Sequence, residues 1–224
     1  MKKYDVLLFD VDGTLLDFDR AEEMGIEGLL EHYGVPVTAE NKEKYHHLNK
    51  SYWERLERRE ITKPELLVRR FQDFFGAEGL SVDAAAFNAA YQTRLGETAI
   101  PRDDSVALVT SLRGRVRQYV VSNGTVQAQT AKLRRSGLDR LMDGIFLSER
   151  IGAEKPDIAF FDAVFAAIGP VEKEEVLIVG DSLTSDIQGG RNAGIQTCWY
   201  APAGGESPLP HHTIRDLHQV LALL

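Results

Sequence analysis

Four apolar residues, Val6 to Phe9, run directly into two aspartates one residue apart, Asp10 and Asp12, with Gly13 and Thr14 behind them. A short continuous apolar run closed by a glycine reads as a strand buried on both faces, the habit of a parallel sheet. Carboxylates at the tip of such a strand are costly unless they meet a cation or hydrogen-bonding partners. In open α/β sheets the ligand crevice lies beyond the carboxyl ends of the strands. Asp10 therefore falls where a substrate can reach it. The plainer reading is a solvated aspartate turn after an ordinary strand.

Three further segments have the same build. The run Val116 to Val121 leads into Ser122-Asn123-Gly124 ahead of a helical pattern. A hydroxyl and backbone N–H groups at a helix start make an anion site, although the same residues also serve as a simple cap. Lys155-Pro156-Asp157 opens another helical pattern. A lysine there opposes the helix dipole and is expected to face negative charge, the alternative being a solvated lysine before a first-turn proline. The run Val176 to Val179 ends in Gly180-Asp181, with Asp186 in the first turn of the next helix. Asp186 alone could simply complement that helix dipole; Asp181 has no such explanation. The carboxylates suit Mg²⁺, a hard cation that also accepts phosphate. The hydroxyl and the lysine suit phosphoryl oxygens, so the set points to phosphoryl transfer.

These strand tips need a scaffold, and the rest of the chain supplies a doubly wound α/β pattern with one interruption. Ile26, Leu29, Leu30 and Tyr33 have helical spacing, as do Tyr45, Leu48, Tyr52 and Leu56. Thr62-Lys-Pro-Glu65 is a capping box before Leu67, Phe71, Phe74 and Phe75. Ser81 is positioned to cap a fourth helix through Phe87, Ala90, Tyr91 and Leu95. Residues 17–98 thus read as an all-helical insert, with extended linkers at 16–19 and 96–101. Residues 1–16 and 99–224 read as a Rossmann-like parallel sheet with helices on both faces. Ile145 to Leu147 and Ile195 to Tyr200 are further strands, residues 201–210 a Gly- and Pro-rich loop, and Thr213 to Leu224 a closing helix.

Composition bounds the partners. The chain has 224 residues and a net charge of −8, which disfavours nucleic acid and acidic membranes. An anionic substrate must then be met by local positive charge or a metal. Cys198 is the single cysteine, so no intrachain disulfide forms and a buried inert thiol is expected. The start, Met-Lys-Lys-Tyr-Asp, carries no apolar leader and no segment is long enough to span a membrane, so a cytoplasmic location is expected. His46-His47 and His211-His212 are weak metal candidates, since adjacent histidines on a helix point apart.

The four segments Asp10-x-Asp12-Gly-Thr14, Ser122, Lys155-Pro156 and Gly180-Asp181-x-x-x-x-Asp186 resemble the motifs of the haloacid dehalogenase-like hydrolase superfamily, and the insert resembles its subfamily I cap. Leu-Asp-Phe-Asp at 16–19, Leu-Asn-Lys-x-x-Trp at 48–53, Arg-Arg-Glu-Ile-Thr at 58–62 and Gln-Thr-Cys-Trp at 196–199 are similar to the house-cleaning pyrimidine 5′-nucleotidases of that superfamily. The resemblance implies Asp10 as nucleophile, Asp12 as acid and base, and Ser122 and Lys155 on the phosphoryl oxygens. It implies Mg²⁺ on Asp10, Asp181 and the backbone carbonyl of Asp12. Asp186, Thr14, Asn123 and Gly124 would support, and Asn49 and Trp53 in the cap would contact a small phosphomonoester. Phosphoglycolate or a sugar phosphate is an alternative substrate. A 2-haloacid dehalogenase is disfavoured because a departing halide needs no proton from Asp12. A non-catalytic regulator on the same fold is disfavoured by four intact motifs.

Overall fold

Strand β1 (Val6–Phe9) lies inside a six-stranded sheet ordered β3-β2-β1-β4-β5-β6, with every pair parallel. The structure is a computed structural model that describes residues 3–224. β2 (Arg117–Ser122) and β3 (Gly144–Leu147) extend the sheet on one side of β1. The chain then crosses to the other side for β4 (Val176–Gly180), β5 (Gln196–Tyr200) and β6 (His212–Ile214). That reversal beside β1 is a topological switch point, where adjacent connections leave in opposite directions and open a crevice at the strand ends.

The period-2 rule divides β1 between two cores. Leu7 and Phe9 join Val120, Leu177 and Val179 against α5 (Ser105–Leu112) and the 3₁₀ turn Leu217–Leu223. Val6 and Leu8 join Val121 and Ile178 against Phe160, Phe161 and Val164 of α8 (Ile158–Ile168). Burial on both faces explains the unbroken apolar runs. The layers are completed by α6 (Val126–Ser136), α7 (Ser148–Ile151) and α9 (Gln188–Ala193). Cys198 is buried, and burial pushes its thiol up to about 12.

Four helices occupy the segment between β1 and α5: α1 (Phe18–His32), α2 (Ala39–Glu57), α3 (Lys63–Ala77) and α4 (Ala84–Glu97). Their core is aromatic, with Tyr45 stacked on Phe71 at 5.3 Å and Phe87 and Tyr91 around them. The two linkers run side by side: Asp17 N donates to Ile100 O at 2.8 Å, and Arg102 N donates to Leu15 O at 3.0 Å. These helices also rest on the strand-bearing part of the chain at several places. Thr125 at the start of α6 donates to Gln92 of α4 at 2.7 Å. Lys63 Nζ donates to Ser148 Oγ at 2.5 Å, and Arg59 pairs with Asp157 at 2.6 Å.

Several local expectations are corrected. α1 starts at Phe18, earlier than the expected extended linker through Asp19, because the Asp17 carboxylate accepts from Arg20 N at 3.2 Å and caps it. Asp83, and not Ser81, caps α4 by accepting from Ala85 N and Ala86 N. The closing segment is not one helix from Thr213: residues 212–214 add strand β6, and Asp216 then caps a 3₁₀ turn. The helix expected to carry Asp186 in its first turn begins as a π turn over Leu183–Ile187, capped by Ser182. The Thr62–Glu65 box forms as expected, with Thr62 N donating to Glu65 at 2.9 Å.

Candidate active site

The ends of β1, β2 and β4 and the loop after α7 open into one cavity of about 670 Å³. Its floor includes Asp10, Asp12, Ser122, Lys155, Asp181 and Asp186, and its roof includes Glu22, His46, Asn49, Trp53 and Glu57 of α1 and α2. Parallel pairing sets the floor. β1 is in register with β4 so that Phe9 faces Val179, and Asp10 N donates to Val179 O at 3.0 Å. The residues that follow the two strands therefore emerge side by side.

Carboxylate oxygens of Asp10, Asp181 and Asp186 all lie within 4.8 Å of one another. Gly13 makes that approach possible: it sits at φ +87°, and a Cβ there would collide with the Asp181 carboxylate. Lys155 is the counter-charge. Its Nζ donates to Asp10 Oδ1 at 2.7 Å, to Asp186 Oδ1 at 2.6 Å and to Val121 O at 2.8 Å, which uses all three of its protons. The backbone of Lys155 is fixed by Asn123, whose amide donates to Lys155 O at 2.8 Å and accepts from Lys155 N at 2.9 Å. Asp186 is held by Ser182 N at 3.1 Å, and Thr14 Oγ1 donates to Asp181 at 3.2 Å. Ser122 is buried, and its Oγ accepts from Gly124 N at 3.1 Å.

Charge is unbalanced on this floor, with the buried Asp10 and Asp186 and the half-buried Asp181 against one lysine. Burial raises Asp10 well above the carboxylate range; Lys155 opposes this, while Asp186 and Asp181 add to it. Burial, then Asp186, pushes Asp181 up to about 7, against the pull of Thr14 and Lys155. Burial disfavours the Lys155 charge, yet Asp10 and Asp186 outweigh it and hold that ammonium above its ordinary value. A cluster of oxygen donors that repel one another in a buried place fits a hard divalent cation, which would remove the penalty. Asp186 thus stands with the acids of this cluster while its other contacts tie it to Lys155. Asp12 adds no carboxylate oxygen to the cluster; its two oxygens accept from Lys132 Nζ at 2.6 Å and from Gln129 Nε2.

The roof is organised differently. Asn49 lines the cavity, but its amide is already engaged: Oδ1 accepts from Arg70 at 2.6 Å, and Nδ2 donates to Glu22 at 2.5 Å. Glu22 also meets His46 Nδ1 at 2.6 Å. Burial lifts the Glu22 carboxyl above its ordinary value, against His46, Asn49 and Arg70. Trp53 is half-buried, with one side on Tyr52, Leu56, Ile61 and Leu66 and another on the cavity. Glu22, Glu57, Gln129 and Lys132 were not singled out by motif, His46 entered only as a weak metal candidate, and Trp199 only as the end of the 196–199 segment. Trp199 donates its indole N–H to Asp181 O at 2.8 Å, and Glu57 accepts from Thr184 at 2.5 Å. Of the paired histidines, His211 meets Thr197 and His212 meets Tyr4.

With this geometry in place, likeness to known proteins is informative. The family described as haloacid dehalogenase-like hydrolase matches residues 4–194. The chain is 40% identical over 200 residues to the pyrimidine 5′-nucleotidase PynA of Streptococcus pneumoniae, covering 89% of this chain and 84% of that one. It is 34% identical over 225 residues to the pyrimidine 5′-nucleotidase YjjG of Escherichia coli, covering 99% and 98%. The crystal structure of the HAD-hydrolase YfnB from Bacillus subtilis, bound to magnesium, superposes with a TM-score of 0.94 at 36% identity, covering 99% of both chains.

Proposed function

This chain belongs to the haloacid dehalogenase-like hydrolases, and from that premise we propose that it is a cytoplasmic phosphatase that removes the 5′-phosphate from pyrimidine nucleoside monophosphates. The observation that carries the reading is the meeting of Asp10, Ser122, Lys155 and Asp181 on the floor of one roofed cavity of about 670 Å³, a volume suited to a nucleotide-sized ligand. Similarity to two pyrimidine 5′-nucleotidases over most of the chain supports the substrate class. A single buried cysteine supports the compartment.

The reaction takes two displacements. An oxygen of Asp10 attacks phosphorus; the Asp10 O–P bond forms as the P–O bond to the nucleoside breaks. Asp12 gives a proton to the departing alkoxide, then accepts one from the water that attacks the phosphoaspartate. The second displacement breaks the Asp10 O–P bond, returns the carboxylate and releases inorganic phosphate. Ser122 donates to one non-bridging oxygen, and Lys155 turns to another the proton it releases from Asp10 as that carboxylate attacks, so the growing charge is met by positioned donors. Asp186 aims Lys155, and Thr14, Asn123 and Gly124 brace the loops. Asp10, Asp181 and the backbone carbonyl of Asp12 would hold Mg²⁺, which supplies charge neutralisation for the nucleophile and the phosphoryl group. The helices of 17–98 act as a cap over the reacting atoms and keep bulk water out. Trp53 offers a face for the base, and Asn49 offers its remaining N–H to a base edge or sugar hydroxyl.

A panel of phosphate esters with Mg²⁺ tests this. UMP or dTMP should be turned over faster than phosphoglycolate and sugar phosphates, and Asp10→Asn should abolish turnover of every ester. Preference for a sugar phosphate overturns the nucleotide assignment alone; no turnover of any ester, p-nitrophenyl phosphate included, overturns the phosphatase.

A further inference from the structure

Asp12 is gripped from the side by a helix that carries none of the four motifs. Lys132 Nζ donates to its Oδ1 at 2.6 Å, and the Gln129 amide donates to its Oδ2. The two donors are three residues apart on α6 and so share one face of the helix. Both are about 1% exposed, a burial at which long polar side chains are rare unless paired.

Packing alone does not account for them. Leu133 already anchors α6 in the sheet core, and Ala128 anchors it against the helical unit. The Gln129 carbonyl oxygen is buried without a partner, a cost of roughly 1–3 kcal/mol. Its amide is therefore oriented to serve Asp12 at its own expense. Gly124 leaves the space for it, since a Cβ there would collide with the Gln129 side chain. The Lys132 ammonium also stands 5.2 Å from the centre of the Phe18 ring. Phe18 opens α1 directly after Asp17, whose carboxylate is clamped by Arg102 at 3.0 Å in the linker. One lysine thus touches the carboxylate on one side and the root of the helical unit on the other.

We infer that Lys132 and Gln129 are positioning residues for Asp12: together they fix both carboxylate oxygens so that the group is presented to the leaving oxygen, with Phe18 setting the place of the ammonium. The inference rests on Asp12 being the acid of the first displacement. Its signature is a dependence on the leaving group. An alkoxide needs the proton, whereas p-nitrophenolate departs as the anion. The ratio kcat/KM reports only steps up to formation of the phosphoaspartate, so it isolates the acid role from the later base role.

The experiment compares kcat/KM for the best alkyl ester of the panel and for p-nitrophenyl phosphate in the Mg²⁺-loaded enzyme. Lys132→Met should lower the alkyl value on the order of 10²-fold, as a misplaced catalytic group does, and the aryl value by less than about 3-fold. Asp12→Asn should show the same asymmetry, Lys132→Arg should recover part of the loss, and Lys132→Met added to Asp12→Asn should cost nothing further. Gln129→Met leaves the charge pair in place and should show the same pattern at about 10-fold, so the inference stays testable if Lys132→Met does not fold. Equal losses on both esters, or additive losses in the double variant, overturn it. If Asp12→Asn itself treats both esters alike, the acid assignment fails, and this inference with it.

Discussion

The floor and the roof of the cavity are built on opposite principles. On the floor, strand ends fix the backbone, and the side chains carry more negative charge than their one lysine can balance. On the roof, α1, α2 and α3 contribute side chains that satisfy one another: Arg70 holds Asn49, Asn49 holds Glu22, and Glu22 holds His46. The floor's crowded carboxylates raise one another's affinity for protons, and under the proposed function a divalent cation would offset that repulsion. The roof makes most of these hydrogen bonds within itself, although the Arg70 Nε stays buried without a partner.

The comparison can be broken first at Asp181. If the floor trades stability for function, Asp181→Asn should do opposite things to the two. The amide keeps the acceptor for Thr14 but removes one of the mutually repelling charges. Turnover should fall by on the order of 10²-fold or more, since a charge-stabilising ligand is lost. The metal-free protein, measured above pH 7, should gain about 1 kcal/mol in denaturant unfolding. Added Mg²⁺ should raise the melting temperature of the wild type by mass action and that of the variant much less. A variant that loses both activity and stability removes the distinction between floor and roof.

This contrast also explains what the sequence could reveal. A functional residue one step past a buried parallel strand is legible because the apolar run marks the strand and the topology fixes where it ends. Asp10, Ser122 and Asp181 could be placed that way, and the cavity brings them together. Residues that reach the site from helices have no such ruler. Lys132, Gln129, Glu22 and Arg70 were missed, although each left a trace: a long polar side chain where helical spacing calls for an apolar one. Buried polar residues at core positions of amphipathic helices are a usable signal for such networks. In the fold, β6 escaped because three residues, His212–Ile214, are too few to show alternation. The early start of α1 escaped because one capping carboxylate at Asp17 decided it.

Trp53 sharpens the recognition side. Its ring is half-buried, with Tyr52, Leu56, Ile61 and Leu66 behind it and the cavity before it. Stacking of a base on an aromatic face contributes about 1–3 kcal/mol. Trp53→Ala should therefore raise KM for a pyrimidine nucleotide by roughly 5- to 150-fold while leaving kcat/KM for phosphoglycolate unchanged. Loss on both substrates alike would mean that the ring only supports the helix, and binding by the roof would need another residue.

The smallest expected effect lies at Glu22, and it separates burial from pairing. Burial raises this carboxyl above its ordinary value, against the opposing influence of His46, Asn49 and Arg70. A raised carboxyl binds its proton more tightly in the folded chain than in the unfolded one. Stability from this group is therefore greatest in acid and declines as pH rises from the unfolded pKa through the folded one. Glu22→Gln removes the titration and keeps the shape. The difference in unfolding free energy, variant minus wild type, should then increase with pH above 4.5, because only the wild type must ionise in place. Subtracting the two curves cancels the contribution of the floor's acids, which both proteins share. A difference that decreases with pH would mean that His46 and Arg70 more than compensate the burial of the charge. Glu22 would then be a stabilising ion-pair partner, and the roof would owe its order to charge pairing rather than to hydrogen bonds made around a costly carboxylate.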